Sequence, residues 1–130
     1  MALGRKAPAN AIRWLLARQG ADGGFPVMPG QPSNAQSTAF VVSALVAAGR
    51  DPAKVRRRGS RTPLQYLRSL RNPDGSIRYS RTSRQTPTWV TGQALAALSK
   101  KALPIAPVRR PTVKAADLRA FMALLRKAFV

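Results

Sequence analysis

The sequence predicts an all-α protein made of two helical hairpins followed by a separate C-terminal amphipathic helix. The 130 residues are 45% hydrophobic, with alanine and leucine dominant and few β-branched runs, a bias toward helix over strand. Trp14-Leu15 followed by Asp22-Gly23-Gly24-Phe25 returns 52 residues later as Tyr66-Leu67 followed by Asp74-Gly75-Ser76-Ile77. Thr38 with Ala44-Leu45 returns 50 residues later as Thr88 with Ala94-Leu95. A unit repeated in this way buries its apolar faces by stacking on its neighbour.

Taken in order, Pro8 to Arg18 reads as the first helix. Pro8 suits a first-turn position, and Ile12, Leu15 and Leu16 form an apolar stripe. Residues 20–34 are a loop rich in Gly, Pro, Asp and Ser. Ala35 to Ala48 is the second helix, apolar nearly all round and therefore expected in an inner, buried layer, with Gly49 as its stop. Asp51-Pro52 reads as an N-cap with proline at N1, opening a short helical turn into the basic run Lys54 to Arg58. Pro63 to Arg71 is the third helix, ended by the turn Asn72-Pro73-Asp74-Gly75. Thr88 to Lys100 is the fourth, with Thr91, Ala94, Leu95 and Leu98 spaced as a buried face.

Residues 8–101 thus hold two repeats, and 102–112 form a proline-rich linker. Residues 113–130 form a basic amphipathic helix, with Thr112 as its cap and Leu118, Phe121, Met122 and Leu125 on its apolar side. That side is expected to cover the open edge of the hairpin pair, the alternative being that the helix lies on an anionic bilayer. In each hairpin the first helix is outer and arginine-studded, and the second is inner.

The missing residue types limit the chemistry. The chain has no histidine, cysteine or glutamate. A zinc site of His and Cys ligands is excluded, as are Ser-His-Asp and Cys-His nucleophile systems. Acid–base work would fall to Asp22, Asp51, Asp74 and Asp117, or to tyrosine and lysine. No cofactor or metal is expected, and the enzymatic reading leans to no. No stretch approaches the roughly 18 to 20 apolar residues of a membrane span, and the N-terminus is a poor secretory signal. A cytoplasmic or membrane-peripheral location is the default.

The net charge is +19, from 23 Lys and Arg against four Asp. Such a field attracts anions. The basic segment comprises Arg50, Lys54, Arg56, Arg57, Arg58, Arg61, Arg68, Arg71, Arg78, Arg81 and Arg84. Arg56, Arg57, Arg58 and Arg61 are its anion-binding candidates, for nucleic acid or an anionic lipid surface. Scatter over several elements also fits a solvated outer face, and no nucleic-acid fold signature accompanies these residues.

Ala11, Trp14-Leu15, Gln19, Gly23 and Phe25 together resemble the QW motif of the squalene-cyclase and prenyltransferase repeat superfamily. Phe25 stands where that family prefers Trp, and Asn10 where it prefers a basic residue. The second copy keeps Tyr66, Leu67 and Gly75 but has Arg71 for the glutamine and Ile77 for the aromatic. The stretch 85–95 looks like the closing inner helix of bacterial members. The resemblance spans 11–100 and implies hairpins of an α/α toroid, in which Gln19 and Phe25 tie the end of an outer helix to the next inner helix.

Two hairpins are present where the family closes about six, so the chain is expected to be a C-terminal fragment, a truncated relative or part of an oligomer. The DxDD motif of the cyclases is absent, and the composition excludes the zinc site of the protein prenyltransferases. Asp22 and Asp74 are read as turn residues that bind nearby backbone N–H groups. Trp14, Phe25 and Tyr66 are read as packing residues of the motif. Phe40 and Trp89, on the inner helices, are the candidates to line an apolar ligand cavity, against plain packing between hairpins.

The leading functional expectation is a non-catalytic binding or assembly module that self-associates or meets further repeats and contacts an isoprenoid-like ligand. The alternatives are a basic nucleic-acid or membrane binder, and a terpene-cyclase fragment lacking its protonating acid.

Overall fold

The computed structural model describes residues 8–107 and 115–128. Among them are five helices: α1 (Ala9–Leu16), α2 (Ala35–Ala47), α3 (Pro63–Ser69), α4 (Pro87–Leu98) and α5 (Ala115–Ala128). The described residues form no strand, only the isolated bridges Phe25–Asn34 and Arg71–Ile77. The fold is all-helical, as the composition and periodicity predict.

The starts of α2 and α3 each have a local cause. Asn34 caps α2 by accepting from the Ser37 N–H at 2.8 Å, which satisfies one of the orphan donors of the first turn. Thr62 and Gln65 make a reciprocal capping box on α3, with Pro63 at its first turn; this is why so short a helix holds. Pro8 lies just outside α1, at its N-cap, one position earlier than a first-turn proline.

The core lies between α2, α3 and α4. Ala35, Ala39 and Val42 of α2 meet Leu64, Tyr66 and Leu67 of α3 and Val90, Ala94 and Ala97 of α4, with Leu70 and Ile77 closing one side. Small residues at 35, 39, 94 and 97 let the two inner helices approach closely, and α2 packs most extensively on α4. The repeats are also tied by hydrogen bonds. The Tyr66 hydroxyl donates to the Ser33 carbonyl at 2.7 Å, and the Ala35 N–H donates to the Tyr79 carbonyl at 2.7 Å.

Three expectations are corrected. Residues 51–58 form turns rather than a short helix. The Asp51 carboxylate accepts from the Ala53 N–H at 3.1 Å and pairs with Lys100 at 2.8 Å. Arg56, Arg57 and Arg58, which follow, lack acidic partners at helical spacing and repel one another in a helix.

The inner helices are related by 53 residues rather than 50. The Phe25 N–H donates to Thr38 Oγ1 at 2.9 Å, and the Ile77 N–H donates to Thr91 Oγ1 at 2.9 Å. The partner of Thr38 is therefore Thr91, and that of Ala44-Leu45 is Ala97-Leu98. In this register Leu95 turns outward and is 55% exposed.

Finally, Leu118 and Phe121 of α5 are more than half exposed. They do not cover the hairpin edge. Leu125 lies outside the residues whose side chains are described, and Thr112 outside the described residues altogether.

Candidate functional site

The two Asp-Gly turns are built alike. The Gly20 N–H donates to the Gly24 carbonyl and the Asn72 N–H to the Ser76 carbonyl, both at 2.8 Å. The Gly23 N–H donates to the Gly20 carbonyl and the Gly75 N–H to the Asn72 carbonyl, both at 3.0 Å. Gly23 and Gly75 take φ of 88° and 87°, a left-handed conformation that glycine adopts without Cβ strain. Asp22 accepts from the Gly24 N–H at 3.1 Å and from the Ser33 hydroxyl at 2.8 Å. Asp74 accepts from the Ser76 N–H at 2.9 Å and the Ser76 hydroxyl at 2.7 Å. These aspartates are engaged in holding turns.

Gln19 is buried, and its amide donates to the Gly23 carbonyl at 3.0 Å and to the Arg61 carbonyl at 3.4 Å. It therefore joins its own turn to the chain leading into the next outer helix. The tie to the inner helix, which the family resemblance assigns to Gln19 and Phe25 together, is made by the Phe25 backbone through Thr38. Phe25 itself is buried.

Equivalent positions in the two repeats differ in burial, and the difference locates two open faces. Tyr66 is 1% exposed, lying over the turn of the first repeat, whereas its equivalent Trp14 is 55% exposed. Trp14 does not pack into the core; Arg18 stacks on its ring, 3.4 Å from the centroid. Phe40 lies on the same hairpin and is 49% exposed.

At the other end, Ala35, Ala39 and Val42 are buried by α4, while their equivalents Thr88, Gly92 and Leu95 are exposed. A Cβ on Gly23 would run into the Arg61 backbone, yet one on Gly75 would meet nothing within 4 Å. Trp89 is 65% exposed and stands beside a shallow depression of 410 Å³ lined with Thr88, Gly92 and Gln93.

One face departs from strict repetition. A Cβ at Gly24 would lie 2.8 Å from the Tyr66 ring, and the second repeat has Ser76 at that position. Its hydroxyl bonds Asp74 and also accepts from the Asn72 amide at 2.9 Å.

A third feature is a cleft of 460 Å³ where the end of α1 meets the loop after α2. Arg50, Lys54, Arg56 and Arg57 line it, together with Leu16, Ala17, Val55 and Gln19. Arg50 and Lys54, which precede the central cluster in sequence, thus join two of its members. Arg58 and Arg61 are exposed but do not line the cleft. The contribution of Leu16 to Gln19 carries no signal in the sequence, because these residues lie more than thirty positions from the basic run.

Titration behaviour follows the contacts. The hydrogen bond from Lys100, then that from the Ala53 N–H, holds the Asp51 carboxyl below its ordinary value. The Ser76 hydroxyl and N–H do the same for Asp74. Burial, reinforced by the Asp22 carboxylate, pushes the Tyr66 phenol well above the ordinary tyrosine range. Among the described residues no helix is long and apolar enough to cross a membrane.

The family model for the prenyltransferase alpha-alpha toroid domain matches residues 2–100. No individual curated protein matches the chain. The match spans both hairpins and their turns, so the chain belongs to the prenyltransferase alpha-alpha toroid domain family.

Proposed function

We propose that the protein is a non-catalytic repeat module of this family that works in assembly, its two end faces engaging further hairpins supplied by a second copy of the chain. The observation that carries this is the contrast between Trp14 and Tyr66, equivalent residues of which only the second has a hairpin turn to cover it. Leu95 against Val42 makes the same contrast at the opposite end. Head-to-tail contact between unlike faces is heterologous, and it closes into a ring or continues according to the rotation between copies. An apolar ligand contacting Phe40 and Trp89 belongs to the same reading, since each stands on an open inner-helix face.

The reading against catalysis rests on the acids. Asp22, Asp51 and Asp74 each have hydrogen-bonding partners that explain them without a reaction.

Light scattering of the full chain over a range of concentrations tests the assembly. The two tryptophans, Trp14 and Trp89, lie on opposite faces, so association is expected to blue-shift their emission as the mass rises. Trp14→Ser and Leu95→Lys, each altering one face, are expected to return the protein to single-chain mass with helicity retained. A wild type of single-chain mass at every concentration, failing to bind an apolar dye, overturns the proposal.

A further inference from the structure

Helix α5 (Ala115–Ala128) lies outside the residues 2–100 that the family model matches, so the repeats do not account for it. Pro104, Pro107 and Pro111 stand between it and α4, and proline does not continue a helix. The helix packing that builds the core runs among α2, α3 and α4 and leaves α5 out. Every α5 residue whose side chain is described, from Ala116 to Leu124, is exposed.

The helix nevertheless separates its residues by kind. Leu118, Phe121 and Met122 fall at i, i+3 and i+4 on one face, and Leu125 continues that row in the sequence. The three keep about half or more of their surface in solvent. Arg119 and Arg126, seven residues apart, occupy the row of the helical pattern that flanks this face. Helices α2 and α4 show no such division. A sharp apolar face on a helix of low overall hydrophobicity is the pattern of a helix that lies in a membrane interface.

Charge decides what covers this face. Residues 113–130 carry Lys114, Arg119, Arg126 and Lys127 against one acid, Asp117. A second α5 would bring the same cations to the contact, and like charges oppose that pairing. Nucleic acid answers the charge but leaves the apolar side in water. An anionic bilayer answers both, since acyl chains take the apolar side chains while the cations stay at the headgroup level. At 14 residues the helix is about 21 Å long, shorter than a hydrocarbon core of about 30 Å. It is built to lie on such a surface and not to cross it.

We infer that α5 is an interfacial helix that docks the protein on an anionic phospholipid surface, with Leu118, Phe121 and Met122 inserted and Arg119 and Arg126 among the headgroups. The inference is independent of the assembly reading, because Trp14, Phe40, Thr88 and Leu95 all lie outside α5.

Sedimentation of the full chain with phosphatidylcholine vesicles, containing or lacking phosphatidylserine, at constant ionic strength is the test. Wild type is expected to bind the anionic vesicles at least about tenfold more tightly than the neutral ones, each cation contributing about fivefold. Leu118→Ser/Phe121→Ser is expected to weaken this binding by about 30-fold or more, and Arg119→Gln/Arg126→Gln by about tenfold or more. Arg81→Gln/Arg84→Gln, an equal loss of charge on the loop of the second repeat, is expected to weaken it by less than about threefold. Both α5 pairs are expected to keep the urea midpoint and the light-scattering mass of wild type.

A lower midpoint for the Leu118 and Phe121 pair would show that α5 packs on the hairpins, and a lower mass that it covers a second copy; either result overturns the inference. Equal losses in the two arginine pairs, which mark a diffuse field, overturn it as well. So do neutral vesicles bound as tightly as anionic ones, or a short DNA duplex bound by wild type when anionic vesicles are not.

Discussion

Gly23 and Gly75 offer a matched experiment, because the same turn is present twice and only one copy is covered. Their φ angles differ by a degree, so replacing either with alanine incurs the same left-handed strain, about 1–2 kcal/mol. At Gly75 the new methyl meets nothing within 4 Å, and the strain is the whole cost. At Gly23 it meets the Arg61 carbonyl oxygen and lies 2.6 Å from the carbonyl carbon. Those atoms are backbone, just ahead of the Thr62–Gln65 capping box, and they move only if α3 moves with them.

Forcing such a shift adds about 1–3 kcal/mol, so Gly23→Ala is expected to lose about 2–5 kcal/mol in all. Urea denaturation followed by circular dichroism, at a concentration where wild type is a single chain, measures both costs. Equal losses for the two variants would refute the argument that the first turn, and not the second, carries a hairpin on it. The pair also bears on assembly. If a second copy stacks on the exposed turn, Gly75→Ala weakens association by more than it destabilises the isolated chain.

Two further perturbations test the ties between turn and inner helix. Thr38→Val keeps the shape of the side chain but leaves the buried Phe25 N–H without its acceptor, and is expected to cost about 1–3 kcal/mol; Thr91→Val, at a half-buried site, costs less, and the reverse order in urea melts would contradict the 53-residue register. Tyr66→Phe removes the bond to Ser33 but also a titrating group. Because the folded phenol is held above its ordinary value of 10.0, its share of stability is full below that pH and drains away as pH rises toward the folded value. The stability gap between wild type and Tyr66→Phe is therefore expected to hold steady below about pH 9 and to narrow as pH rises past 10.0, and a constant gap would show that the phenol is not buried.

Much of the repeat is legible in the sequence because it is local. An Asp-Gly turn states its own conformation, and it recurs at fixed spacing in residues that interact with near neighbours. The resemblance to the family is read on Gln19, Gly23 and Phe25, residues that hold the first turn and its neighbours together. The inner-helix register was not legible. Thr88 and Thr91 both offer a hydroxyl, and Ala94-Leu95 and Ala97-Leu98 both repeat the Ala44-Leu45 pattern. One hydrogen bond from Ile77 chooses between them, and the one extra residue that separates Ile77 from Thr91, compared with Phe25 from Thr38, carries no mark in the sequence.

Exposure was decided at the same level. Trp14 and Tyr66 are interchangeable as motif aromatics, and whether either is buried depends on a turn that belongs to another hairpin. The cleft arises in the same way, where α1 ends against a loop far along the chain. By itself the sequence determined the repeated unit, its helices and its shortage of acids and metal ligands, which are properties of short stretches. Only the tertiary structure decided which faces remain open and which cations converge, because those depend on what each unit is stacked against.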